Sequence, residues 1–122
     1  MLRRHGAPEW VATTDGTALG VVPGLTYSEG TIDLAPGDTL LVFTDGVTES
    51  INADGQEFGK ARVWAHLEGT QPSGAREVIE RLLEHVERFA RGAEPFDDIT
   101  CLALHCRQHG PNATNEPQRP AV

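Results

Sequence analysis

The sequence predicts an α+β fold, on three observations. A short, strongly apolar run, Thr39 to Thr44, is bounded by Gly37-Asp38 and Asp45-Gly46. A second β-like run, Ile99 to Cys106, lies near the C-terminus. Between them, residues 74–90 carry apolar side chains at helical spacing. Runs of four to eight apolar residues framed by turn signals read as strands, and a stripe recurring every three to four residues reads as an amphipathic helix.

Taken in order, residues 8–13 (PEWVAT) have strand-compatible content and run into Thr14-Asp15-Gly16, a turn that suggests a hairpin edge. Pro23-Gly24 marks a second turn. Leu25 to Leu34 follows, where Ile32 and Leu34 alternate with Asp33 as in a half-buried strand. Ala35-Pro36-Gly37-Asp38 turns the chain into Thr39–Thr44, which reads as a central strand buried on both faces. Asn52-Ala53-Asp54-Gly55 is a turn. Lys60 to Leu67 is a short helix with Val63, Trp64 and Leu67 on one side.

Ser73 is a fitting N-cap for the long helix, with Glu77 in its first turn. Val78, Ile79, Leu82, Leu83, Val86 and Phe89 form its apolar stripe, and Arg91-Gly92 ends it. In the last strand, Ile99, Cys101, Ala103 and His105 share one face; Thr100, Leu102, Leu104 and Cys106 share the other. From Arg107 onward apolar side chains almost vanish and Pro, Asn and Gly recur, so residues 107–122 are expected to be a disordered tail.

The formal charge is -8 with a pI near 5.0. That works against phosphate backbones and anionic lipid, which attract clustered Lys and Arg, so neither nucleic acid nor membrane is an expected partner. Cys101 and Cys106 fall on opposite strand faces, which argues against a disulfide between them. There is no apolar run of about 20 residues and no signal-peptide core behind Arg3-Arg4, and the expected compartment is the cytoplasm.

Asp45 and the pair Asp97-Asp98 stand out because each borders an apolar strand. Carboxylates converging from separate strand ends suit Mg²⁺ or Mn²⁺, which take oxygen ligands and keep several waters. The plainer reading stands beside this one: Thr44-Asp45-Gly46 as an ordinary turn and Asp97-Asp98 as solvated charge. The histidines at 5, 66, 85, 105 and 109 show no zinc-ligand spacing, and His66 and His85 read as partly exposed helix residues. The sequence contains neither a nucleophile elbow nor a phosphate-binding glycine loop.

The run from Leu34 to Glu49 (LAPGDTLLVFTDGVTE), then Asn52 to Gly59 (NADGQEFG), then Asp97-Asp98-Ile99-Thr100, closely resembles PPM-type phosphatases of the SpoIIE/RsbU kind. The resemblance covers residues 8–106 and includes Gly16 to Gly24. It implies a β-sandwich flanked by helices, of which this chain carries the C-terminal part over residues 1–106. It also implies two Mn²⁺ or Mg²⁺ ions, with Asp45 and Asp97 as the catalytic metal ligands, Asp98 as a further metal residue beside them, and Gly46 and Glu49 shaping the site. The implied reaction is direct hydrolysis of phosphoserine or phosphothreonine, without a phosphoenzyme, on anti-sigma-factor antagonist proteins in partner-switching signalling.

The family's earlier acidic strand and its Asp-Gly leading to Gly-His-Gly have no match in this sequence, and Arg3-Arg4-His5-Gly6-Ala7 only loosely follows the segment expected there. Two functions follow as expectations. The first is a metal-dependent protein phosphatase, incomplete as it stands and completed by a homodimer if at all. The second is a non-catalytic remnant that binds a protein partner.

Overall fold

The structure, a computed structural model, describes residues 1–4, 6–12, 16–69, 72–94 and 98–107. Its elements run β1 (Leu2–Arg4), β2 (Ala7–Glu9), β3 (Thr39–Phe43), α1 (Asp45–Thr48), α2 (Gly59–Gly69), α3 (Ala75–Phe89) and β4 (Cys101–His105). The strands form one sheet in the order β2-β1-β3-β4, each neighbour antiparallel. The α+β expectation holds, with the helices on one face of an antiparallel sheet.

β3 and β4 pair along their full length, from Thr39↔His105 to Phe43↔Cys101. Because strand side chains alternate, this register divides the residues cleanly between two faces. Leu41, Phe43, Cys101 and Ala103 join the core beneath the helices. Val78, Leu82 and Val86 of α3 and Val63 and Leu67 of α2 meet them there, fully or almost fully buried, together with Val47 and Phe58. Each such Val or Leu contributes about 1.5–3 kcal/mol by leaving water. On the opposite face Val42 and its partner Leu102 are each 52% exposed, and Leu104 is 50% exposed.

Several expectations change. β3 is buried mainly on one side; its strongly apolar composition marked two-sided burial, but Val42 on the other face stays half-exposed in a depression that it shares with Trp10, Val11 and Ile32. The hairpin β1–β2 lies earlier than the expected strand at 8–13 and contains Leu2-Arg3-Arg4, whose charges hid it. Those arginines are accommodated by long stems and polar ends: Arg3 is buried with its Nε donating to Leu67 O at 3.0 Å, and Arg4 Nε lies 3.6 Å from the buried carboxylate of Asp38. Residues 25–34 form no strand, because alternation supplies no ladder without a partner; Arg4 Nη2 instead holds the Asp33 carbonyl at 2.8 Å.

The helices fall close to their expected places. The cap position of α3 is Gly74 rather than Ser73; the Ser73 backbone N–H and hydroxyl instead donate to Glu77 Oε2 at 2.8 and 2.7 Å. His66 is buried at 4% exposure, against the expectation of partial exposure, because it occupies the i+3 position from Val63 on the inward face of α2. Cys101 and Cys106 are both free thiols. The turn expected at 14–16 and the tail beyond Arg107 lie mainly outside the described residues.

Candidate metal centre at the ends of β3 and β4

β3 ends at Phe43, and the chain turns at once into the one-turn helix α1, which begins with Asp45. The residues Thr44-Asp45-Gly46 therefore sit where the sheet stops. β4 begins two residues after Ile99, so Asp98 enters the same corner from the other strand. The two segments are clasped by threonines. Thr44 N–H donates to Thr100 O at 3.0 Å, Thr100 N–H donates to Thr44 Oγ1 at 3.1 Å, and Thr44 Oγ1 lies 3.4 Å from Asp98 O as donor.

Gly46 is what lets them close. It is buried, and a Cβ in its place would collide with the Asp98 carbonyl oxygen and stand 3.1 Å from the Asp98 carbonyl carbon. Ser50 Oγ donates to Gly46 O at 2.6 Å, and Phe58 N–H donates to Ser50 O at 2.7 Å, which ties the turn to the start of α2. Asp45 and Asp98 are both exposed at this corner. The structure thus brings the Asp45 and Asp98 segments together, while Asp97 lies outside the described residues. Glu49 follows as the exposed residue closing α1, its N–H donating to Asp45 O at 2.8 Å.

Carboxylate oxygens at two strand ends are the right donor type for Mg²⁺ or Mn²⁺. The donor number is short: among the described residues no three His, Cys, Asp or Glu side chains come together. The fit is of chemistry and position, to part of a ligand set. Cys101, one residue beyond the clasp, adds no nucleophile, since burial pushes its thiol above the ordinary range and keeps it protonated. Sequence reasoning named Asp45, Asp97 and Asp98 and did not name Thr44, Thr100 and Ser50, which the structure places at the same corner. Only their adjacency to Asp-Gly and Asp-Asp could have flagged them, because a clasp between strands leaves no spacing within either one.

The model of the family described as stage II sporulation protein E (SpoIIE) matches residues 1–107. The chain belongs to the SpoIIE family. Two solved structures of the phosphatase domain of the cell fate determinant SpoIIE from Bacillus subtilis share its fold. One superposes with a TM-score of 0.60, covering 90% of this chain and 48% of that one at 19% identity. The other, presoaked with manganese, gives 0.65 over 90% and 47%, also at 19% identity. Protein IcfG of Synechocystis sp. is 29% identical over 90 residues, which is 74% of this chain and 14% of that protein. The chain thus spans about half of the SpoIIE phosphatase domain and a small part of IcfG.

Proposed function

We propose that residues 1–106 form the C-terminal part of a metal-dependent serine/threonine phosphoprotein phosphatase, with 107–122 as a tail. The observation that carries this reading is the threonine clasp, which sets Asp45 beside the Asp98 segment at the sheet's end in a chain of the SpoIIE family. In this reading Asp45 and Asp97 are catalytic metal ligands and Asp98 is a further metal residue beside them. Mn²⁺ or Mg²⁺ held there supplies an acidified water and neutralises charge on the phosphoryl group. The chain's own residues do the positioning: Gly46 permits the close crossing, Thr44 and Thr100 fix it, and Ser50 holds the turn that presents Asp45. The substrates are phosphoserine or phosphothreonine proteins, with anti-sigma-factor antagonists in partner-switching signalling as the specific class, in a cytoplasmic setting. Among the described residues no helix is long and apolar enough to cross a membrane.

A second reading is favoured by the open sheet face: a non-catalytic module that binds a protein through that face. The deciding experiment is p-nitrophenyl phosphate hydrolysis by the purified chain, with and without Mn²⁺, beside Asp45→Ala. Manganese-dependent turnover that disappears in the variant supports the phosphatase, completed by a homodimer. A folded chain with no turnover under either condition rejects catalysis by this chain and leaves the binding module.

A further inference from the structure

α2 and α3 enclose a solvent-open cavity of about 540 Å³, within the range of small-molecule sites. Its lining follows from helical spacing. Arg62, His66 and Gly69 recur at i, i+4 and i+7 along α2, while Arg81, His85 and Arg88 recur at the same interval along α3. Phe58 and Phe89 close one end, edge to face with centroids 5.4 Å apart. Among the described residues, no Asp or Glu lines it. In a chain with only 10 Lys and Arg against 18 Asp and Glu, three arginines and two histidines line this one cavity.

Arg62 and His66 are held in place. Arg62 Nη1 donates to the carbonyls of Glu57 and Phe58 at 3.0 and 2.8 Å, and its guanidinium lies 4.4 Å from the Phe89 ring centroid. His66 Nε2 donates to Val78 O at 3.1 Å, and its ring stands 5.2 Å from that of His85. Burial keeps His66 below the ordinary histidine range, and the positive charges of His85 and Arg81 press it the same way. Carboxylates surround the rim rather than the interior: Glu77 pairs with Arg81 at 2.5 Å, and Glu84 and Glu87 share a neighbouring depression with Arg88.

We propose that this cavity binds a small anionic ligand bearing an aromatic ring, an aryl carboxylate or an aryl phosphate. The ring lies against Phe58 and Phe89, and the anionic group faces Arg81, Arg88 and His85, where charge-assisted hydrogen bonds are strongest. The site makes no use of Asp45 and stands apart from the phosphatase reading.

The test uses the 122-residue chain in EDTA, followed by amide correlation NMR during titration with phenylphosphonate, benzoate or the neutral benzyl alcohol. One or both anions should give saturable shifts at the lining residues, with the tighter of them naming the anionic group. Benzyl alcohol should bind about tenfold more weakly, and Arg81→Gln/Arg88→Gln should weaken the anion about tenfold. Both arginines are exposed, so the double variant retains the fold. Asp45→Ala should bind the anion like the parent chain, which separates this result from the fate of the phosphatase reading. Absence of saturable shifts with both anions, equal binding of benzyl alcohol, or full affinity in the double variant each overturns the proposal.

Discussion

Replacing Gly46 by alanine drives a methyl group into the carbonyl oxygen of Asp98. The neighbour that must yield is backbone, held by both hydrogen bonds of the Thr44–Thr100 clasp, so the clash cannot be relieved by rotating a side chain. Overpacking of this kind costs about 1–3 kcal/mol. If the strand ends part to relieve it, two hydrogen bonds of about 0.5–1.5 kcal/mol each are lost instead. Either route gives about 1–3 kcal/mol, measurable as a shift in the urea midpoint followed by circular dichroism. Gly69→Ala is the matched control: it ends α2, has open space around its Cβ position, and should be neutral or slightly stabilising. A Gly46→Ala chain within about 0.5 kcal/mol of the parent, the level of an inconsequential surface change, would refute the close crossing.

The two faces of β3 should respond differently to mutation. Leu41→Ala removes a fully buried side chain from the core and should cost about 2–5 kcal/mol, whereas Val42→Thr on the open face should cost less than about 1 kcal/mol in dilute protein, both by urea unfolding. His66 should make stability depend on pH. Its folded pKa lies below the ordinary 6.5, so below that value the unfolded chain binds more protons and stability falls as pH falls. Urea midpoints measured from about pH 7.5 down to about pH 5.5 should decline, and His66→Gln should flatten that decline; an equal slope in the variant would place its origin elsewhere.

The sequence was most informative where one physical signal dominated. α3 was legible because burial of Val78, Leu82 and Val86 on a single side is the only way to shield that stripe, and no competing signal interrupts it. β3 and β4 were legible from apolar runs cut off by turn residues. β1 was not, since its Arg-Arg strand draws on partners distant in sequence, among them the carbonyls of Asp33 and Leu67, 29 and 64 residues away. The segment 25–34 failed in the opposite direction: its pattern asked for a strand, but patterning cannot supply a neighbour. At the candidate site, Asp45 and Asp98 could be named in advance as acidic residues at strand boundaries. The clasp that juxtaposes them could not, because it depends on which strands pair and in what register.

The open sheet face and the acidic corner meet at one place. Phe43↔Cys101 is the last pair of the β3–β4 ladder, Val42↔Leu102 is the pair before it, and Asp45 follows two residues after Phe43. Whatever covers Val42 and Leu102 therefore ends beside the acidic corner, so covering the face and adding ligands become coupled in the proposed phosphatase. If a second copy is the cover, linkage requires that manganese strengthen association by the same factor by which association strengthens manganese binding, with typical couplings of about 1–3 kcal/mol. Sedimentation with and without Mn²⁺ should then show tighter self-association with the metal, and Val42→Asp should weaken both association and manganese affinity. A manganese affinity that is independent of protein concentration and untouched by Val42→Asp would mean that the acidic corner binds metal alone, and that the exposed face serves a different partner.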